Sequence, residues 1–160
     1  MRAPFADTKG ASSRFLLGLS VVAALALARA DDVKQAKKLA ERLDLDFPKD
    51  TIVQGYWLPS IRGAIELRAK NAGGAAEILE SAAPYELAQC EPYQLGMMYP
   101  VYLRGEAYLQ ARLGKQAAAE FQKIIDHRGI VLNFPLGALA RLGLARSYVL
   151  EGNTADAREA

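Results

Sequence analysis

The sequence predicts an all-α fold built from antiparallel helix pairs. Three observations carry that expectation. Ala, Leu, Glu, Lys, Arg and Gln dominate the chain, and all are good helix formers. Few stretches alternate apolar and polar residues as a half-buried strand does. Clusters of Gly, Pro and Asn at 46–51, 70–74, 84–96, 127–135 and 151–153 cut the chain into helix-length segments.

Eight helices in four pairs are expected, over 15–29, 32–45, 51–69, 72–82, 99–112, 115–126, 135–151 and 154–160. Residues 1–14 show no periodicity and are expected to be disordered, ahead of a helical domain over 15–160. The first helix lies in "FLLGLSVVAALALARADD", residues 15–32, which reads two ways. Arg2, Lys9 and Arg14 followed by an apolar run and Ala28-Arg29-Ala30 have the form of an export signal with a small-residue cleavage site. The helical reading is preferred, because removal of this stretch strips the second helix of its partner.

The later elements carry their own start signals. Asp32 with Gln35, and Thr51 with Gln54, have capping-box spacing; Asn153 with Asp156 is a weaker version. Pro59 is expected to kink the third helix or to mark its true start. Pro100 suits the first turn of the fifth helix, where a missing N–H has no partner to lose. In the sixth, Ala117, Phe121 and Ile124 recur at spacings of four and three, on one helical face.

Composition narrows the function. The 160 residues hold 20 basic and 18 acidic side chains, a net charge of +2. Lys34, Lys37, Lys38 and Arg42 alternate with Asp31, Asp32, Glu41 and Asp44, the pattern of a solvated helix face rather than a nucleic-acid site. Phe15 to Ala28 is short of the roughly 20 apolar residues a membrane span needs. Cys90 is the single cysteine and His127 the single histidine. They lie in different linkers, so neither a metal set nor a thiol–imidazole pair is expected. "GKQA" at 114–117 lacks the glycines of a phosphate loop, and "DHRG" at 126–129 is no kinase motif. No catalytic residue, cofactor or metal is expected.

The helix pairs repeat. Gly105, Tyr108, Ala117, Phe121 and Ile124 follow one register, and Ala145, Tyr148, Gly152 and Ala157 follow it again. Gly63, Ala75, Leu79 and Ala82, and before them Ala24, Leu27, Ala36, Ala40, Leu43 and Pro48, fit the same frame. Ala36, Ala75, Ala117 and Ala157 recur at intervals of 39, 42 and 40 residues. This pattern resembles the tetratricopeptide repeat, a helix–turn–helix unit of about 34 residues with small and aromatic residues at set places. The resemblance covers roughly residues 20 to 160. It departs from the pattern at Glu66, where an aromatic is expected, and at Gly114, which arrives two places late as a turn glycine. The last unit is incomplete, consistent with a fragment whose exposed end self-associates. The phrases "AAPYEL", "YPVYLRGEAYL" and "EFQKIIDHRGIVLN" further resemble repeat regions C-terminal to bacterial serine/threonine kinase and winged-helix regulator domains.

The resemblance implies a right-handed α-solenoid whose first helices line a concave, noncatalytic groove for a peptide or protein segment. It places Trp57, Arg68, Tyr99, Tyr102, Glu106 and Arg146 there, with Leu109, Leu139, Leu142 and Val149. An alternative has Tyr99 and Tyr102 packing under the 84–98 linker. The family's basic clamp for chaperone-tail carboxylates is not matched. The mixed charge pattern gives no expectation of a nucleic-acid partner, and reading residues 15–29 as a folded helix makes a cytoplasmic protein the expectation, with export as the alternative if residues 1–30 act as a signal. A second functional expectation is a sensor or regulatory segment of a longer signalling chain.

Overall fold

The computed structural model describes residues 8–88, 97–132 and 134–160. Nine α-helices and no strand are present among the described residues. They are α1 (Thr8–Arg29), α2 (Val33–Asp46), α3 (Leu58–Arg68), α4 (Ala72–Glu80), α5 (Tyr99–Gln110), α6 (Gly114–Asp126), α7 (Arg128–Val131), α8 (Leu136–Leu150) and α9 (Thr154–Glu159). The all-helical expectation holds. Cys90 lies outside the described residues. No described helix is long and apolar enough to cross a membrane.

Consecutive helices pack as hairpins: α1 with α2, α3 with α4, α5 with α6, and α8 with α9. The first helices also pack in series, α1 on α3, α3 on α5 and α5 on α8. The buried side chains explain why. Val21, Ala24, Leu25 and Ala28 make an i, i+3, i+4, i+7 stripe on α1. Ala36, Ala40 and Leu43 answer it from α2. On α6 the stripe is Ala117, Phe121 and Ile124, fully buried and spaced as expected.

The four hairpin turns are built alike. Asp31, Lys70, Arg112 and Gly152 each adopt left-handed backbone, with φ of 73°, 63°, 60° and 77°. The residue after each is the N-cap of the second helix. Its backbone N–H reaches back five residues, Asp32 to Leu27, Asn71 to Glu66, Leu113 to Tyr108 and Asn153 to Tyr148. This is the longer bond of a Schellman ending, and it uses a carbonyl the first helix leaves free. Gly114 is therefore not a displaced turn glycine. The turn of the third hairpin is in register, with Arg112 holding the left-handed place.

Caps follow the same logic. The Asp32 carboxylate accepts from the Gln35 N–H at 3.1 Å, as expected. Asn153 accepts from the Asp156 N–H at 3.3 Å. Asn71 does the same for Gly74, and its amide donates to Glu66 at 2.7 Å. Glu66 thus steadies a cap from the place where the frame expects an aromatic. The Thr51–Gln54 capping box is corrected: Asp50 accepts from the N–H groups of Ile52 and Val53. Gln54 instead donates to Asp44 and the Phe47 carbonyl.

Other boundaries shift for local reasons. Helix α1 begins at Thr8, so residues 8–14 are helical rather than disordered; once nucleated, a helix gains one bond per added residue. Val53–Trp57 winds as a wider π-turn that runs directly into α3, with the Leu58 N–H on the Val53 carbonyl. Pro59 sits in the first turn of α3, where the widened backbone accepts a ring and a missing N–H. The Ser60 hydroxyl donates to the Tyr56 carbonyl at 2.7 Å. The α4 segment ends at Glu80, and Ala83–Tyr85 follows as a 3-10 turn. The one-turn α7 falls in a stretch read as a break.

Glycines mark the close crossings. A β-carbon on Gly63 would lie 2.6 Å from Leu79, and one on Gly105 2.8 Å from the Phe121 ring. A β-carbon on Gly143 of α8 would lie 2.5 Å from that same ring. Ala75 is fully buried in the second hairpin. Ala145, Tyr108 and Tyr148 are only half-buried, the two tyrosines packing against the edge of the core. Ala157, which keeps the repeat register in sequence, is also half-exposed: α9 has six residues and buries none of them.

Candidate functional site

The first helices enclose one cleft of about 310 Å³. Ala28 and Arg29 close it at the end of α1, Ala64, Leu67 and Arg68 on α3, and Lys70 in the following turn. Helix α5 contributes Tyr102, Leu103, Glu106, Leu109 and Gln110. Helix α8 contributes Leu139, Gly143 and Arg146, and Phe121 forms part of the floor.

An ion pair spans this space. Arg29 donates to both oxygens of Glu106, at 2.7 and 3.3 Å. The Tyr102 hydroxyl donates to Glu106 at 3.0 Å. The Arg29 guanidinium lies 6.0 Å from the centre of the Tyr102 ring, a cation–π distance. Its hydrogen bond to Glu106 holds Arg29 more firmly charged than usual, against the pull of burial. Burial first, then the Glu106 carboxylate, push the Tyr102 phenol up to about 12. The phenol stays protonated and remains a donor. Arg68 is held from beside the cleft by Asp31 at 2.6 Å. Gln110 donates to the Leu67 carbonyl at 3.2 Å, joining α5 to α3.

Four of the expected groove residues are brought together here: Arg68, Tyr102, Glu106 and Arg146, with Leu109 and Leu139 beside them. Trp57 is not among them. It is 6% exposed and meets Tyr56 edge-on at 4.7 Å, so it is a core residue of the π-turn. Tyr99 stands outside the lining, 6.4 Å from Tyr102, with its backbone N–H on the Tyr56 hydroxyl. Tyr102 packs edge-on against Phe121 at 5.8 Å, and residues 89–96 of the linker lie outside the described residues. Leu142 and Val149 are exposed elsewhere on α8.

Sequence reading missed Arg29, Lys70 and Gln110. The signal for Arg29 was present: it stands in α1 at the same repeat place as Arg68 in α3. Lys70 was hidden because it belongs to a turn rather than to a first helix.

The opposite face of α5 holds a second polar cluster. Arg104 is 2% exposed. Its Nη2 donates to Glu86 at 2.8 Å and to Glu120 at 2.7 Å, and its Nη1 to the Leu79 carbonyl at 3.3 Å. Lys123 adds a donor to Glu86 at 2.8 Å. Burial opposes the charge on Glu86, yet Lys123 and Arg104 outweigh it and hold the carboxyl below its usual range. The Arg104 Nε has no partner among the described residues. The cluster ties α4, α5, α6 and the 3-10 turn together, and Arg104 points away from the cleft because it is two residues from Glu106.

Among the described residues no group of three His, Cys, Asp or Glu side chains is placed to hold a metal. The His127 Nδ1 lies 2.8 Å from the Lys123 carbonyl. Comparison with protein-family models, curated proteins and solved structures finds no significant match. The cleft combines leucine side chains, a protonated phenol and four cations, of which Arg29 and Arg68 are held in ion pairs.

Proposed function

We propose that the protein is a noncatalytic helical-repeat scaffold of tetratricopeptide type that binds a peptide or protein segment in this cleft. The observation that carries the reading is one cleft reached by four first helices, α1, α3, α5 and α8. The four turns of matching geometry support the repeat frame. Concave sites with an apolar lining and a few placed polar groups are the usual form of binding pockets. Arginine and tyrosine, both present here, are frequent anchors of binding energy.

Peptide-array binding followed by Arg68→Ala and Arg146→Ala tests this. Both residues are exposed, so the fold should tolerate their loss. Peptides bound by the parent protein should bind each variant more weakly. Hits retained in full by both variants would place the binding site elsewhere.

A second reading, a sensor segment of a longer signalling chain, is favoured by the phrases that resemble regions following kinase and winged-helix domains. The natural reading frame around residues 1–160 tests it. A kinase or DNA-binding domain encoded in frame supports that reading, and its absence removes it.

A further inference from the structure

We infer that the segment the cleft takes is acidic, with an apolar side chain flanked by carboxylates; this rests on the binding reading above. The cleft carries four cations, Arg29, Arg68, Lys70 and Arg146, against one carboxylate, Glu106. Glu106 is already committed to Arg29 and to the Tyr102 hydroxyl. Arg68 is shared with Asp31, whose side chain is 66% exposed, so that pair is weakened by solvent. The side chains of Lys70 and Arg146 make no ion pair among the described residues. An entering carboxylate therefore finds two unpaired cations and a third in a solvent-screened pair. An entering ammonium group finds no free acid.

The lining decides between anions. Leu67, Leu109 and Leu139 supply apolar surface among the charged groups, while Leu103 is fully buried beneath them. The one tyrosine in the lining, Tyr102, is 6% exposed with its ring against Phe121, so it offers no open face on which a base could stack. Two unpaired cations are also few for a phosphate backbone, whose binding is carried by rows of lysine and arginine. A leucine-sized side chain between glutamates matches both the walls and the rim.

The test uses the whole chain and fluorescence anisotropy. The probe is a fluorescein-labelled heptapeptide, glycine–glutamate–glutamate–leucine–glutamate–glutamate–glycine. Its controls replace every glutamate by glutamine or by lysine, and a short oligothymidylate supplies phosphates without carboxylates. The glutamate probe should bind about tenfold or more tighter than the glutamine probe, and added salt should weaken it. Lys70→Glu with Arg146→Glu should reverse the preference toward the lysine probe, with an unchanged thermal midpoint since both sites are exposed. If glutamine or lysine probes bind the parent as well as the glutamate probe does, and Leu139→Asp abolishes that binding, the acidic preference is wrong and the cleft stands. If no probe binds, or binding ignores both Leu139→Asp and the charge reversals, the cleft reading falls with it. Tighter binding of oligothymidylate would overturn the inference in favour of nucleic acid.

Discussion

Gly105 and Phe121 meet so closely that a β-carbon on the glycine would lie 2.8 Å from the ring. They stand 16 residues apart, and Gly63 meets Leu79 at the same spacing in the preceding hairpin. In the first hairpin Ala24 and Ala40 hold the equivalent positions, both buried. A small residue on one helix receiving a residue of its partner is therefore a repeated device.

Gly105→Ala should push the Phe121 ring off its position. Its other side is closed by Gly143, so the ring cannot retreat toward α8. Overpacking of this kind costs about 1–3 kcal/mol. Thermal denaturation should show a lower midpoint for Gly105→Ala. An unchanged midpoint would mean that the ring has room the crossing does not reveal.

Arg112→Gly should stabilise the protein. Arg112 holds φ of 60° at an exposed turn, and left-handed backbone costs a residue with a β-carbon about 1–2 kcal/mol. Glycine removes that cost and adds chain entropy to the unfolded state, leaving a net gain of about 0.5–1 kcal/mol. Urea denaturation should move to a higher midpoint; a lower one would show that the arginine side chain itself supports the turn.

Arg104→Met should be severe. It leaves Glu86 and Glu120, at 10% and 13% side-chain exposure, with Lys123 alone to share between them. Removing one partner of a buried ion pair costs about 3–5 kcal/mol. Adding Glu86→Gln and Glu120→Gln to Arg104→Met should recover part of the loss. Denaturant midpoints of the single and triple variants measure both effects, and no recovery would deny that stranded carboxylates cause the loss.

Acid should expose the same cluster. The folded protein holds the Glu86 carboxyl below its usual range, so the unfolded chain takes up the proton first as pH falls. The stabilisation is complete above the ordinary glutamate value and drains away between it and the lower folded value. Compared with Glu86→Gln, the parent should be more stable at neutral pH and should lose that advantage across this window. Denaturation midpoints of both proteins at stepped pH give the comparison. A stability difference that does not change with pH would exclude ionisation of Glu86 as its source.

How far these features were legible depends on where their causes lie. The Asp32 cap and the Ala117–Phe121–Ile124 stripe are local patterns, and both were readable. Asn71 was not, because its cap lies inside "KNAGG", which reads as a simple break. The left-handed places at Asp31, Lys70 and Arg112 defied residue preference, since the five-residue reach-back bond demands that conformation whatever residue stands there. Most of the α5 and α8 wall of the cleft followed from the repeat frame, but Trp57 did not, because the π-turn rotates it into the core. Arg104 left no local trace: Glu86 and Glu120 belong to other elements, and only the assembled hairpins bring them to it.

The Arg29–Glu106 pair joins residues 77 positions apart, from the first hairpin to the third. A stack in which every unit touches only its neighbours behaves as a one-dimensional chain, free to flex like a spring. Here a side chain of the first hairpin also grips one on the third. Separating those two hairpins means breaking a two-pronged ionic latch as well as bending the joints between them. The same latch lines the cleft, so whatever displaces Glu106 from Arg29 also loosens the link between the first and third hairpins.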